Sequence, residues 1–237
     1  MTFCAGYIII KKLGGLVPYN KSNTGNKFTL DYSKLNERTI QVKKLILVTS
    51  PPACGKTFIS KQLAKNLKHI VYLDKDALIV LSKQIFKVAN EEYNRSSDFF
   101  EENIRNYEYY AIVDIALEAL DYEDLVLINA PFTREIRDVS YMNGLRNKLA
   151  EKGAELAVIW VQTDPEVCRQ RMIKRDSDRD TWKINNWDEY ISRINFDIPT
   201  EIQASGREKE LLIFKNSSEE EYNESMSRIS KIFTDND

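Results

Sequence analysis

Residues 45–57 read LILVTSPPACGKT, and they are the most informative stretch of the sequence. Leu45–Val48 is a short continuous apolar run, which is typical of a strand buried on both faces of a parallel sheet. Apolar residues then recur at four-residue spacing from Ile59 to Leu67, as on the buried face of a helix. The polar segment between them, Ser50–Thr57, is therefore expected to be a loop that joins a strand to a helix.

This loop matches the Walker A pattern, except that Ser50 replaces its first glycine. Phosphate binding needs backbone N–H groups that converge at a helix N-terminus, a lysine that reaches the phosphates and a hydroxyl that holds Mg²⁺. A serine at the first position would be strained if its φ were positive. The alternative, a chance Gly-Lys-Thr with a solvated lysine, is disfavoured by the strand and helix on either side. We predict nucleotide binding by Ser50, Ala53, Cys54, Gly55, Lys56 and Thr57.

The rest of the chain alternates buried strands with helices, which predicts an α/β domain with a parallel sheet. The expected strands are 45–49, 70–73, 125–128, 156–161 and 211–214; the expected helices are 77–122 with a polar break near 94–98, 139–152, 165–175 and 218–233. We assign residues 42–237 to this domain. Residues 1–41 combine short apolar runs, at 7–12 and 28–32, with turn signals at Gly14-Gly15, Pro18 and 22–26, and are expected to form a separate arm or hairpin.

Composition narrows the class of protein. The 237 residues are 43% hydrophobic, which excludes a disordered chain, and 34 basic residues against 36 acidic ones argue against a broadly basic nucleic-acid coat. Three widely spaced cysteines form neither a disulfide framework nor a CxxC metal pair, which favours a reducing compartment. No apolar stretch reaches the roughly 18 residues that a membrane span needs. We therefore expect a cytoplasmic protein without a membrane partner.

Two carboxylates follow the second strand, at Asp74 and Asp76. Ligands of open parallel sheets bind beyond the carboxyl ends of the strands, so both should lie on the same rim as the phosphate loop. One could accept the proton of an attacking hydroxyl or hold Mg²⁺ through water, and one could cap the helix that begins near Ala77. We favour Asp76 as the functional carboxylate.

Basic residues are concentrated between Arg169 and Lys183. Arg171 and Arg175 are four residues apart and share a helix face, and Asp176–Asp178 should break that helix and leave Arg179 on a loop that can close over phosphates. Guanidinium groups suit the charge that develops during phosphoryl transfer. The alternative is an exposed, ion-paired surface helix.

With these motifs in this order, residues 43–233 resemble the P-loop kinases of the group that includes polynucleotide kinase and the zeta-toxin-like kinases. The matching segments are Ser50–Thr57, Asp74–Asp76, residues 127–132 and residues 174–179. The resemblance implies a three-layer P-loop kinase fold with strand order 2-3-1-4-5. It implies that Asp76 is the general base, that Arg175 and Arg179 are lid residues, and that Asn216 lies near the adenine.

Two positions depart from the pattern of that group. Strand three ends in Asn129, where many relatives have aspartate, so the metal would depend on Thr57 and the phosphates, with Asp76 as a further candidate ligand through water. The basic residue that polynucleotide kinases place shortly after the base is missing, because Leu78 and Ile79 occupy that stretch. This absence weakens a nucleic-acid assignment.

The acceptor is expected to approach over the helical region between strands two and three. Residues 85–124 hold eleven acidic residues against Lys87, Arg95 and Arg105, and such a surface would repel a polyphosphate. Tyr93, Tyr107, Tyr109 and Tyr110 either stack on an acceptor or pack the helices. Asp74, Asn129, Arg134 and Arg137 are the candidate acceptor-side residues.

We predict an ATP–Mg²⁺ phosphotransferase that acts on a hydroxyl of a small-molecule or nucleotide-like acceptor. Lys56, Asp76, Arg175 and Arg179 are the candidate catalytic residues. One alternative is a nucleic-acid 5′-hydroxyl kinase, which the acidic region disfavours. The other is a nucleotide-binding regulatory module, either non-catalytic or weakly hydrolytic, that signals through residues 1–41. The sequence leaves the acceptor, the choice between ATP and GTP, and the oligomeric state open.

Overall fold

The structure is a computed structural model that describes residues 2–4, 7–10, 15–21, 28–30, 42–203 and 209–234. Side chains are described from Val42 onward, apart from those of Asp178, Arg179 and Gln203. The chain divides into two compact units, Met1–Gln41 and Val42–Asp237.

The described part of the first unit is an antiparallel sheet in the order β1-β2-β3-β4. Its strands are β1 (Thr2–Cys4), β2 (Tyr7–Ile10), β3 (Gly15–Lys21) and β4 (Phe28–Leu30). The predicted turn at Pro18 is wrong, because Pro18 lies within β3 opposite Tyr7. The turn signals at 22–26 and Gly14 lie outside the described residues.

The second unit is built on a five-stranded parallel sheet. Its strands are β5 (Lys43–Thr49), β6 (Ile70–Asp74), β7 (Leu125–Asn129), β8 (Ala154–Gln162) and β9 (Leu211–Lys215). They lie in the order β6-β7-β5-β8-β9, and all pairs are parallel. Counted within this unit, the order is 2-3-1-4-5, and the predicted fold class is confirmed.

Helices cover both faces of this sheet. Successive side chains of the central strand point to opposite faces, so each face has its own core cluster. Leu45 and Leu47 pack with α4 (Asn106–Ala119) and α5 (Val139–Glu151) in one core cluster. Ile46 and Val48 pack with α1 (Lys56–Asn66) and α9 (Glu219–Thr234) in the other. The central strand is therefore buried on both faces, and its carboxyl end opens directly into the loop at Ser50.

The remaining helices lie between β6 and β7 and between β8 and β9. They are α2 (Ile79–Ala89), α3 (Asp98–Phe100) with a π-helical turn (Glu101–Arg105), α6 (Pro165–Arg175), α7 (Asp178–Asn185) and α8 (Trp187–Arg193), and the 3₁₀ turns are Lys75–Leu78, Glu135–Arg137 and Thr200–Gln203. The predicted break near 94–98 is confirmed between α2 and α3. Within the described residues, no helix is both long enough and apolar enough for a membrane span.

Candidate active site

The loop between β5 and α1 presents a helix N-terminus to the rim of the sheet. Gly55 is the N-cap of α1, with φ 94°, and no side chain caps the helix there. The first turn of α1, which the structure describes in full, carries no acidic residue. The free N–H groups of this turn are therefore available to an anion, which the helix dipole would also stabilise.

Gly55 is required by space as well as by backbone conformation. A Cβ at this position would lie 2.5 Å from Nδ2 of Asn216 and 3.6 Å from Nη1 of Arg171. The loop and the end of β9 approach each other too closely for any side chain at this point.

The left-handed positions of the loop are Ala53, with φ 65°, and Gly55. Ser50 is not among the described residues with positive φ, so the strain considered for this serine does not arise. Its hydroxyl donates to the carbonyl of Pro51 at 2.8 Å, and its side chain is buried. Replacement of the first Walker A glycine by serine is therefore compatible with this loop.

The carbonyl of Cys54 ties the loop to three neighbouring elements. It accepts hydrogen bonds from Oγ1 of Thr163 at 3.0 Å, from Nη1 of Arg171 at 3.3 Å and from Nδ2 of Asn216 at 2.7 Å. The Cys54 thiol packs against that of Cys168, with 3.6 Å between the sulfur atoms, and both cysteines are free and buried. These contacts hold the loop backbone against the ends of β8 and β9 and against α6.

Asn129, at the end of β7, connects Lys56 and Thr57. Its Oδ1 accepts from Nζ of Lys56 at 3.2 Å, and its Nδ2 donates to Oγ1 of Thr57 at 3.3 Å. Lysine has no acceptor, so the amide oxygen must face Lys56 and the amide nitrogen must face Thr57. Burial lowers the pKa of Lys56, and the nearby carboxylates of Asp76 and Asp74 oppose this shift.

The same amide continues the network to the end of β6. Nδ2 of Asn129 also donates to the hydroxyl of Tyr72 at 3.3 Å, and this hydroxyl donates to Oδ2 of Asp74 at 3.0 Å. Oδ1 of Asp74 accepts the backbone N–H of Asp76 at 3.1 Å and so caps the following 3₁₀ turn. Burial, together with the negative charge of Asp74, raises the pKa of Tyr72, so that the hydroxyl keeps its proton.

The two aspartates therefore have different surroundings. Asp74 is half-buried and satisfied by Tyr72 and a backbone N–H, whereas Asp76 is exposed and lines a cavity in front of the loop. The expectation that one of them caps the turn is confirmed for Asp74.

The cavity has a volume of about 800 Å³. The phosphate loop forms one wall, residues 131–137 form a second, and α6, α7 and the end of α8 supply the others. Of the predicted catalytic and metal residues, Lys56, Thr57, Asp76 and Arg175 line the cavity. The candidate acceptor-side residues Arg134 and Arg137 also line it. Asp74, Asn129 and Asn216 are not among the side chains that line it.

Residues 174–179, which were predicted to form a lid, differ in detail from the prediction. Asp176, with φ 47°, ends α6, and Ser177 is the N-cap of α7. Arg179 lies in the first turn of α7 and not on a loop, because helix formation resumes at Asp178; its side chain lies outside the described ones. Arg175 donates through Nε to the buried carboxylate of Asp180 at 2.8 Å, which joins α6 to α7.

A second cavity of about 400 Å³ adjoins the first at Gly55 and Arg171. Phe58 and Tyr222 line it, with ring centroids 5.7 Å apart, and Ser217–Glu219 close its far end. Asn216 also lines this cavity, but its amide is engaged with the loop carbonyl of Cys54. The flat apolar rings and the adjoining phosphate loop are suitable for a nucleotide base.

The acidic region predicted for the acceptor side does not contribute to either cavity. None of its described carboxylates lines them; Glu108 is buried, and Glu101 pairs with Arg134. Of its tyrosines, Tyr109 packs on Phe132 with centroids 5.0 Å apart, and none lines either cavity. That an acidic surface meets the acceptor stays a prediction, which the basic lining of the larger cavity does not support.

Two residues of the site were not in the predicted set of catalytic, nucleotide-binding, metal and acceptor-side residues. Arg171 lines both cavities and donates to the carbonyls of Cys54 and Asn216, and its spacing from Arg175 was the available sequence signal. Tyr72 joins Asn129 to Asp74, and no local pattern distinguishes it from a tyrosine that packs in a core.

The donor set of the cavity suits magnesium and a nucleoside triphosphate. Oxygen ligands are available from Thr57 and Asp76, which is the chemistry that Mg²⁺ prefers. Asn129 presents its nitrogen to Thr57, so it offers no oxygen on that side. Lys56, Arg171 and the free N–H groups of α1 would hold the phosphates.

The second unit shares its family and its fold with known proteins. Residues 45–195 match the AAA domain family. No curated protein sequence matches the chain. Among solved structures, a candidate kinase from Chloroflexus aurantiacus aligns with 18% identity and a TM-score of 0.50, over 81% of this chain and 97% of that one.

Two further structures align at lower scores. Shikimate kinase from Bacteroides thetaiotaomicron has 14% identity and a TM-score of 0.44, over 80% of this chain and 97% of that one. Kti12 from Chaetomium thermophilum, solved with ADP-AlF3, has 17% identity and a TM-score of 0.46, over 81% of this chain and 100% of that one. At such identities, the structure of the candidate kinase shows the fold alone. The family match covers more than half of the sequence, and the chain belongs to the AAA domain family.

Proposed function

We propose that this protein is an ATP–Mg²⁺ phosphotransferase that moves the γ-phosphoryl group to a hydroxyl of a small-molecule or nucleotide-like acceptor. The observation that carries the proposal is the single cavity in which the phosphate loop, Asp76 and two arginines of α6 face one another. Phosphoryl transfer depends mainly on such positioning and on charge stabilisation.

The nucleotide would place its base in the smaller cavity and its phosphates across the N-terminus of α1. Lys56 binds phosphate oxygens, and Arg171 spans the boundary between base and phosphates. Bound Mg²⁺ would supply charge neutralisation at the phosphate oxygens, with Thr57 holding it and Asp76 within reach through water. Arg175, and Arg179 at the start of α7, would supply further positive charge from the lid.

The acceptor hydroxyl would enter beside Asp76. Its oxygen forms a bond to the γ-phosphorus while the bond to the bridging oxygen of ADP breaks. Asp76 accepts the hydroxyl proton, since its carboxylate faces the cavity while that of Asp74 is already engaged. The side of the cavity formed by residues 131–137 remains for the body of the acceptor.

Replacement of Asp76 by asparagine tests this assignment. We expect Asp76→Asn to keep its ATP affinity and to transfer phosphate about 10²–10⁴-fold more slowly, since general-base catalysis contributes an effect of that size. ATP affinity is measured by calorimetry, and transfer is measured with an acceptor identified by ADP release. Wild-type transfer by Asp76→Asn would show that another group is the base.

A nucleic-acid 5′-hydroxyl kinase is the second candidate function. The basic lining of the described cavity favours this function. The acidic region that disfavoured it in the sequence does not line the cavity. The missing basic residue after Asp76 still argues against it. Transfer of labelled phosphate from ATP to an oligonucleotide with a 5′-hydroxyl separates this function from small-molecule transfer.

A further inference from the structure

We infer that the acceptor is an anionic alcohol, a hydroxyl compound whose carboxylate or phosphate is held by Arg134, Arg137 and Arg193. This inference rests on the proposed function and adds the chemical class of its acceptor. The relevant observation is the charge that lines the described cavity: Lys56, Arg134, Arg137, Arg171, Arg175, Lys183 and Arg193 are basic, and Asp76 alone is acidic.

Apart from Lys183, which pairs with Asp180, these cations lie in two groups. Lys56 and Arg171 contact the phosphate loop or its supports, and Arg175 lies one turn further along α6. Arg134 and Arg137 come from the segment after β7, and Arg193 is the last residue of α8. The second group is separate in sequence from the nucleotide-binding elements, and a triphosphate spread over the N-terminus of α1 would leave it for another ligand.

Arg137 is the best-positioned member of the second group. Its side chain is 20% exposed and is held by Glu201, with Nη1 3.0 Å from Oε1, and by the carbonyl of Asp197 at 2.6 Å. Its guanidinium carbon lies 5.8 Å from the ring centroid of Trp160. A guanidinium fixed in this way presents a fork of defined orientation, which is the geometry that binds carboxylate and phosphate.

The ion pairs of these arginines leave donors unused. A guanidinium has five N–H donors. The described hydrogen bonds of Arg137 and Arg134 involve only their Nη atoms, so Nε of each remains for a ligand. The paired carboxylates, Glu101 and Glu201, do not line the described cavity. The surface that meets a ligand is therefore cationic, although each pair as a whole is near neutral.

A neutral acceptor would gain little from such a lining, because desolvated guanidinium groups need anionic or strongly polar partners. An anion on the acceptor would satisfy the unused donors and would place the hydroxyl on the side of Asp76. The carboxylate or phosphate is thus expected to determine both affinity and orientation.

Matched acceptor pairs test this inference. Glycerol is compared with glycerate and glycerol 3-phosphate, and a nucleoside with its 3′-monophosphate, by ADP release and by mass spectrometry of the product. We expect kcat/KM to be at least about tenfold higher for the anionic members, which corresponds to one well-formed ionic hydrogen bond. Arg137→Gln should raise KM for these members and so reduce their advantage over the neutral ones. Equal use of neutral and anionic members would overturn the inference and leave the proposed transfer intact.

A binding measurement separates the anion site from catalysis. Inorganic phosphate is titrated onto the full-length protein already saturated with Mg²⁺ and a non-hydrolysable ATP analogue, so that the phosphate loop is occupied. Arg137→Gln and the more exposed Arg134→Gln should each weaken phosphate binding at least about tenfold. Arg146→Gln is the matched control, since Arg146 pairs with Glu210 at 2.7 Å with 14% exposure and lies outside the cavity.

Thermal unfolding of each variant shows whether it is folded, and the exposed position of Arg134 keeps the test informative if Arg137→Gln unfolds. Unchanged phosphate binding in a folded Arg134→Gln or Arg137→Gln variant would refute the anion site. If phosphate binding weakens as expected but no acceptor is phosphorylated, the anion site is supported and the proposed transfer fails.

Discussion

Gly55 is the residue on which the geometry of the site depends most. Its φ of 94° is in the region that favours glycine, and a Cβ there would meet Asn216 at 2.5 Å. We expect Gly55→Ala to lose ATP binding and to lower the free energy of unfolding by about 1–2 kcal/mol or more, because a left-handed backbone alone costs that amount. Calorimetric titration and thermal unfolding measure the two effects.

Gly144→Ala is the matched control for that variant. Gly144 lies within α5, and a Cβ there would meet no described atom within 4 Å. Alanine is the better helix residue by about 0.5–1 kcal/mol, so this variant should be slightly more stable and should bind ATP normally. Tight ATP binding by Gly55→Ala would show that the loop geometry is not what binds the phosphates.

At this scale, the sequence indicates the position of a residue in the fold most directly where the residue type is tied to a local pattern. Lys56 and Thr57 follow from the spacing of the loop, and the cap at Asp74 follows from its place before a turn. Arg171 and Tyr72 were left out of the predicted set of site residues because their contacts join residues far apart in the chain, such as Arg171 and Cys54, which are 117 positions apart. The strain suspected at Ser50 is found instead at Ala53, since backbone dihedrals are set by the whole loop.

At the scale of elements, the first turn of α1 and the ends of the adjacent strands β7 and β6 form one polar chain. It runs from Lys56 through Asn129 and Tyr72 to Asp74, which caps the turn that carries Asp76. The parallel register explains the arrangement, because Val48 pairs with Asn129, and Asn129 pairs with Asp74. The network therefore connects the phosphate loop to the candidate base.

Tyr72→Phe tests this connection. The substitution removes one hydroxyl and leaves Asp74 bound to the N–H of Asp76. We expect kcat to fall about tenfold, equivalent to about 1.4 kcal/mol, with little change in the KM for ATP, because the orientation of the turn depends on this hydrogen bond. Steady-state kinetics gives both parameters.

Tyr141→Phe is a suitable control, since Tyr141 packs against the core at α5 and does not line the cavity. Equal kcat values in Tyr72→Phe and the wild type would show that the polar chain does not position the base.

The boundary between α6 and α7 shows why the ends of elements were harder to predict than the elements themselves. Asp176–Asp178 does end α6 as expected, but a new helix begins at once and includes Arg179. The buried carboxylate of Asp180 favours this helix by binding Arg175 and Lys183. Such ion pairs depend on packing, which a charge pattern does not specify.

At the scale of the whole molecule, a buried ionic cluster beside the site affects stability. Glu108 accepts from Lys75 at 2.5 Å and from Arg95 at 2.7 Å, and Ser82 also donates to it. Burial raises the pKa of Glu108, but the hydrogen bonds from Arg95, Lys75 and Ser82 outweigh this effect and lower the pKa to about 2. The carboxylate is therefore charged in the folded protein at neutral pH.

Because the folded pKa lies below the ordinary value of 4.5, the resulting stability is present above pH 4.5 and is lost as the pH falls toward 2. The shift corresponds to about 3 kcal/mol. We expect Glu108→Gln to lower the free energy of unfolding at pH 7 by about 3–5 kcal/mol, since Lys75 is left buried without its partner, and to reduce the loss of stability below pH 4.5. Denaturant unfolding from pH 2 to pH 7 measures both.

Glu155→Gln is the control for Glu108, because Glu155 is 62% exposed in its pair with Lys44. An exposed pair contributes about 0–1 kcal/mol, so this variant should resemble the wild type. If the free energy of unfolding falls equally below pH 4.5 in Glu108→Gln and in the wild type, Glu108 is not the source of that pH dependence.

Sequence patterns predicted the strand order through the family resemblance and predicted the strands themselves from apolar runs such as Leu125–Ile128. They did not predict where the charged helices would face. The acidic residues within 85–124 were expected to meet the acceptor, yet none of their described carboxylates lines the cavity, whose lining is basic apart from Asp76. Charge counted along a chain does not specify charge in a cavity.

The most direct test of the proposed activity is a screen of hydroxyl compounds with the full-length protein, ATP and Mg²⁺, in which ADP release and phosphorylated product are measured together. We expect at least one anionic alcohol for which ADP and product form in equal amounts, and loss of both in Asp76→Asn. ATP binding without acceptor-dependent ADP release across the screen would contradict the phosphotransferase assignment and favour a nucleotide-binding regulatory module.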